Sequence, residues 1–404
     1  MRELHFWVLP NNGFDTFPTL KEHLALFYRG HPDVRVTISV GTAAALWTNL
    51  FRILKDPSSG ARPHVLQIPS HWTASLAQLG LLQDLRELDP GLDLARWVPA
   101  ARDHCRVAGS DQICSLPWWF ELRVLYYRQD IFRRLGLDPR RLLAGWEGMR
   151  EVCRVLAEKW RGSPGPVYPI ANPNPRRGVS MADVAPCLWS RGGDFFARDG
   201  SRVLFQRSHA LGGVSDYFDL IASGWMPLTG PNGLAPRNLF DGSCAMQISG
   251  RLPRRGKKKL VATLEAVPVP PTGGAAATLL GMQSLALLRD CGEPEWAYGL
   301  LRDLTDPAAE EAYAGDIGAF PAADGVAWRP LAAAPHFREA FERSLGAARM
   351  LPNLRAMGTL EQVFERSMER LVGDVVQRAY EPERLHQEII RASAEMDYIL
   401  GLNS

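Results

Sequence analysis

The sequence predicts an α/β protein of two lobes. Three observations predict it. At 404 residues the chain is too long for one ordinary hydrophobic core. Strand-like and helix-like apolar periods alternate from residue 4 to residue 80. A second alternating set follows an aromatic, proline-containing segment at 116–130. Alternation of this kind builds a mostly parallel sheet with helices on both faces.

Taken in order, residues 4–9 read as an apolar strand, and Leu20, Leu24 and Phe27 mark a helix face. After a turn at His31-Pro32-Asp33, the alternation of Val34, Val36, Ile38 and Val40 gives a second strand. Leu46, Leu50, Ile53 and Leu54 share the face of the next helix. Residues 65–68 form a third strand, and 73–79 a short helix closed by Gly80. Ligands of open α/β sheets bind beyond the carboxyl ends of the strands. Those ends carry Asn11-Asn12-Gly13, Gly41-Thr42 and Ser70-His71-Trp72, which suit hydroxyl groups and equally suit turns.

The segment 116–130, LPWWFELRVLYYRQD, is the densest in information. Adjacent strand residues point to opposite faces, so one of Trp118 and Trp119 is expected in the core and the other toward a functional surface. Trp119 shares parity with Glu121 and Arg123, which favours it. Glu121 and Arg123 either accept from and donate to neighbouring hydroxyls or form a structural ion pair. Further on, 167–171 is a strand ending in Asn172-Pro173-Asn174-Pro175, and a helix at 181–190 ends at Gly192-Gly193. Residues 267–274, rich in proline and glycine, are the second expected crossover. An apolar strand at 279–288 begins near Gly281-Met282-Gln283. Ala297, Leu300, Leu301 and Leu304 mark a helix, and Asp306-Pro307 opens another. Thr359 and Gln362 form a capping-box pattern ahead of Leu360, Val363, Phe364 and Leu371, and Pro382 opens the last helix.

A net charge of +2 argues against a nucleic-acid footprint. The one basic run, RLPRRGKKK at 251–259, reads as a solvated loop, with anion or membrane contact as the alternative. No window approaches the ~20 apolar residues that a spanning helix needs, and no signal-like leader precedes the first strand. Either a leader was removed or the chain stays in the cytoplasm. The six cysteines include no C-x-x-C pair, so no metal site is expected. Cys105 and Cys114 flank a turn at Gly109-Ser110 as an expected non-hydrogen-bonded pair; they are either disulfide-bonded or two packed thiols. Motifs for serine hydrolases, zinc peptidases, P-loop and dinucleotide-binding proteins and EF-hands are absent, and no cofactor is expected.

Several features together resemble family 1 extracellular solute-binding proteins, the sugar-capturing subunits of ABC importers. They are Pro117-Trp118, Leu125-Tyr126-Tyr127, Arg128 and Asp130 with Gly136-Leu137-Asp138-Pro139, then the 240–250 stretch FDGSCAMQISG and Gly318-Ala319-Phe320-Pro321. The resemblance implies a two-lobed fold of the type II periplasmic-binding-protein kind, with a hinge and an interlobe cleft. Lobe one is expected at 1–120 plus 270–321, and lobe two at 121–269 plus 322–404. It implies capture of a neutral mono- or oligosaccharide, delivery to ABC permease subunits, a periplasmic or extracellular location and a monomeric, non-enzymatic protein. A pyranose offers an apolar face to tryptophan and a hydroxyl rim to polar groups. The expected ligand-binding set is therefore Asn11, Asn12, Thr42, Ser70, Trp72, Trp118, Trp119, Glu121, Arg123, Trp189, Trp225, Arg251, Gly281, Met282 and Gln283. Polyamine, metal or phosphate-containing solutes on the same fold, and a carbohydrate-active enzyme, are the alternatives.

Overall fold

The computed structural model describes residues 2–10, 16–56, 58, 60–107, 110–161, 168–172, 179–227, 239, 242–253 and 263–402. The expected candidates Asn11 and Asn12, the Gly109 position of the turn and most of the basic run lie outside the described residues. Two compact units emerge. The first comprises Met1–Glu121, Gly281–Ala333 and Pro352–Gly358; the second comprises Leu122–Leu280, Ala334–Leu351 and Thr359–Ser404. The return to the first unit thus comes at Gly281, inside a strand, and not near residue 270. Residues 322–333 and 352–358 belong with the first unit because its own atoms hold them. Val98 N–H donates to the Ala322 carbonyl, and Ala74 N–H donates to Asn353 Oδ1 at 2.9 Å.

The first unit contains β1 (Arg2–Val8), β2 (Val34–Val40), β3 (Val65–Pro69) and most of β4 (Leu116–Leu122). In the second unit are β5 (Val124–Arg128), β6 (Tyr168–Ala171), β7 (Cys244–Ser249) and β8 (Leu264–Val267). The chain then forms β9 (Thr278–Leu287), β10 (Phe320–Pro321) and β11 (Ala348–Arg349). The first sheet runs β10-β4-β9-β3-β1-β2. Within it β1, β2 and β3 are mutually parallel, as the alternation predicts. β9 enters antiparallel to β3, and β10 antiparallel to β4, so the sheet is mixed. The second sheet runs β6-β7-β5-β8, with only β6 and β7 parallel.

Two local expectations are corrected. Helix Ala43–Lys55 buries Ala43, Leu46, Trp47, Leu50 and Ile53, whereas Leu54 is exposed. Trp47 takes the inward position by lying against Gly358, where any Cβ would sit 2.2 Å from the indole ring. The capping box at Thr359 is not one, because the helix already starts at Met357 and runs to Val376. The capping box that does form is Ser180 with Asp183, at the start of helix Met181–Ser190. Satisfying orphan N–H groups there orders the first turn.

Candidate functional site

In the first unit, three neighbouring strand positions stand out. β4 is buried throughout except at Glu121. β9 is buried throughout except at Gly281 and Gln283. Gly281 and Gln283 share strand parity, and a Cβ on Gly281 would come within 3.3 Å of Glu121 Cγ, so all three present to one face. The glycine is what lets the carboxylate lie across β9. Behind them runs a chain of amides. Leu9 N–H donates to Gln67 Oε1 at 3.1 Å, and Gln67 Nε2 donates to Gln283 Oε1 at 3.2 Å. Gln67 itself is 1% exposed. Sequence reading missed it, because a glutamine inside the strand run VLQIP carries no signal of its own. Met282 points the other way, into the core.

Other expected residues of this unit have structural employment. Thr42 caps helix Ala43–Lys55 by accepting from Ala45 N–H at 3.2 Å. The Ser70 and Ser284 hydroxyls are 2.7 Å apart in the interior. Trp72 is buried edge-on against Trp47, with ring centroids 4.9 Å apart. Trp118 stacks on Tyr313 at 4.4 Å and 7° and has no accessible surface. Trp119 does point away from Trp118, yet it is also sealed, at 3% exposure, beside β10 through its pairing with Pro321. The expectation that one of the two rings lies open is corrected: both are buried.

Cys105 and Cys114 are free thiols. Their backbones are linked by Cys114 N–H donating to the Cys105 carbonyl at 3.1 Å, so the expected non-hydrogen-bonded pairing is wrong. Cys105 closes a short 3-10 turn at Asp103–Cys105, and its Sγ lies 3.4 Å from the Ala101 carbonyl. Burial pushes both thiols up to about 12.

The second unit uses its candidates differently. Arg123 is buried and committed: Nη1 donates to the Ala182 carbonyl at 2.7 Å and to Asp183 Oδ1 at 3.0 Å. Its own backbone carbonyl accepts from Thr278 Oγ1. The ion pair Arg123 makes with Asp183 is a different pair from the Glu121–Arg123 one that strand parity suggested. Trp189 donates from Nε1 to Asp194 Oδ1 at 3.1 Å, and the Arg349 guanidinium lies over the indole at 4.6 Å while also pairing with Asp194. Arg251 is buried, its N–H donating to Ser249 Oγ at 3.3 Å. Trp225 alone among the expected tryptophans is half-exposed. It follows helix Ser208–Ala222, and its carbonyl accepts from Ile170 N–H of β6.

A surface depression of about 260 Å³ lies elsewhere in the second unit, lined by Arg370, Asp374, Arg384, Gln387, Glu388 and Arg391. Its charges already pair across the two helices, Arg370 with Glu388 and Arg384 with Asp374, which makes it a poor ligand site. Among the described residues no cluster suits a metal ion, and no helix is long and apolar enough to cross a membrane.

The two units together carry the two-lobed α/β fold of periplasmic binding proteins. The pattern describing bacterial extracellular solute-binding proteins matches residues 27–339, and the chain belongs to that family. Among solved structures, maltose-bound MalE3 of T. maritima has a TM-score of 0.79 at 20% identity, covering 99% of this chain and 100% of that one. A solute-binding protein of Thermotoga lettingae bound with α-D-tagatose also has a TM-score of 0.79, at 17% identity and with 99% and 100% covered. The sn-glycerol-3-phosphate-binding periplasmic protein UgpB of Salmonella paratyphi A is 28% identical over 102 residues, 24% of this chain and 23% of that protein. Its counterpart in Pectobacterium atrosepticum is 27% identical over 135 residues, 32% and 30% of the two chains. The chain therefore spans less than a third of either curated relative.

Proposed function

We propose that this protein captures a neutral carbohydrate outside the cytoplasm and delivers it, as a monomer and without chemical turnover, to the permease of an ABC importer. The observation that carries the reading is the set Glu121, Gly281 and Gln283: a carboxylate and an amide side by side on an otherwise buried sheet face. Such a pair matches hydroxyl groups, which both donate and accept. Trp225, half-exposed in the second unit, is an aromatic face of the kind that packs on the apolar side of a sugar ring. Structural relatives solved with maltose and with tagatose support the same class of ligand.

A phosphate-containing solute is the second reading, favoured by the partial match to glycerol-phosphate-binding proteins. Glu121 weighs against it, because a carboxylate repels a phosphate at contact distance. A thermal-shift screen separates the two. A ligand at about 100 times its Kd stabilises by ~2.7 kcal/mol. Neutral mono- and disaccharides are expected to raise Tm and to be recovered unchanged. A rise with sn-glycerol 3-phosphate, a polyamine or a metal ion, and none with any sugar, rejects the assignment.

A further inference from the structure

We infer that Gln67, which is buried behind the candidate surface, positions Gln283 so that its amide offers only N–H donors beside the Glu121 acceptor, and that this fixed polarity selects a ligand with neighbouring hydroxyls. The inference rests on the sugar reading and adds to it a positioning residue and a hydrogen-bond pattern.

The polarity follows from a backbone group that has no alternative. Leu9 N–H can only donate, so the atom of the Gln67 amide that faces it, 3.1 Å away, is the oxygen. That places the Gln67 nitrogen on the opposite side, where it donates to Gln283 at 3.2 Å. The Gln283 atom receiving that bond is its oxygen, which turns the Gln283 nitrogen, with two N–H donors, away from Gln67. An isolated surface glutamine rotates freely and offers either end. This one is locked by a relay that begins in the main chain of the strand-end at Leu9.

Gln67 is 1% exposed, so water is kept from its bond to Leu9, and register keeps it in place: Gln67 lies opposite Leu285, with Gln283 its diagonal neighbour. Glu121, lying across Gly281 two residues before Gln283, accepts and does not donate. One hydroxyl can donate to the carboxylate while the next accepts from the amide. An anionic group meets the amide well and the carboxylate badly. Discrimination between solutes is then built into a buried residue that touches no ligand.

The test is a double-mutant cycle read by calorimetry, using the tightest-binding neutral sugar from a panel that includes maltose and D-tagatose, with sn-glycerol 3-phosphate alongside. Gln283→Leu removes the donor and is expected to weaken sugar binding tenfold or more. Gln67→Leu releases the amide to rotate and is expected to weaken it three- to tenfold. In the Gln283→Leu background the Gln67→Leu change is expected to add nothing, because its effect passes through Gln283. Equal costs of Gln67→Leu in both backgrounds, or no cost of either change in a folded protein, overturn the inference and leave the sugar reading standing. Failure of wild type to bind any neutral sugar removes both at once, and is seen without any variant. Should Gln67→Leu not fold, the side-chain amide resonances of wild type decide. A slowly exchanging Gln67 pair and a Gln283 pair that shifts on sugar addition are expected, and a Gln283 pair unmoved at saturation refutes it.

Discussion

Glu121 and Arg123 are two residues apart and have opposite surroundings, Glu121 within β4 and Arg123 in the break between β4 and β5. Glu121 is the one partly exposed position of β4, laid across a glycine. Arg123 is sunk into the second unit, bonded to a helix terminus and to the acid that caps it. Parity counted along the sequence assigns a face only while the strand lasts, and β4 ends at Leu122, one residue before Arg123. A helix N-terminus carrying an acid makes a structural residue of an arginine, and a glycine gap leaves a carboxylate at the surface.

The hardest blow to that contrast is Asp183→Ala. It strands the buried Arg123 charge and removes the cap, and is expected to cost about 3–5 kcal/mol. Chemical denaturation measures it, and affinity in the remaining folded protein should be unchanged. If instead affinity collapses while stability holds, Arg123 belongs to the binding surface. Glu121→Ala should behave in reverse, lowering affinity by about 1.5–3 kcal/mol with little change in Tm.

The tryptophans extend the comparison. Trp118→Ala, which empties a stacked and fully buried site, is expected to destabilise by roughly 3–5 kcal/mol. Trp225→Ala is expected to reduce sugar affinity and leave Tm nearly unchanged. Equal melting loss in the two variants would put Trp225 in the core as well.

A smaller effect sharpens the picture of how the first unit holds its charges. Glu310 accepts from Trp97 Nε1 at 2.9 Å and from Ala323 N–H at 2.7 Å. Burial pushes its carboxyl well above the usual carboxylate range, with those two donors and the Arg96 guanidinium opposing. Because the folded value is raised, its stabilising contribution is complete below the unfolded value of about 4.3 and is lost as pH rises through the folded value. Melting curves across that window should fall with pH in wild type and fall less in Glu310→Gln. The variant should melt lower than wild type in acid, where one N–H is left without its acceptor. Identical slopes would remove the buried carboxyl from the account.

The smallest expected effect is none. Reductant should leave the Tm unchanged, and alkylation of Cys105 and Cys114 should require unfolding, since both thiols are buried and hard to ionise. A bonded Cys105–Cys114 peptide in a non-reduced digest would contradict the free thiols.

Much of the fold was legible. The parallel strands β1, β2 and β3, and the helix that buries Leu46, Leu50 and Ile53, follow from apolar period alone, because one face of each must leave water. Glu121, Gly281 and Gln283 were also legible as candidates. The fates of Trp72, Trp118 and Arg123 were not, since each depends on a residue far along the chain: Trp47, Tyr313 and Asp183 respectively.

Local periodicity and turn chemistry were enough for the α/β class, because burial period and capping are properties of neighbouring residues, and the length of 404 residues called for more than one core. Which polar side chains meet solvent, and which end of an amide each presents, depends on contacts between residues distant in the chain. Leu9 and Gln283 stand far apart in sequence, and it is the β1-β3-β9 pairing that brings them to either side of Gln67. A hydrogen bond's direction is set by the partner it meets, and partners are chosen by the fold.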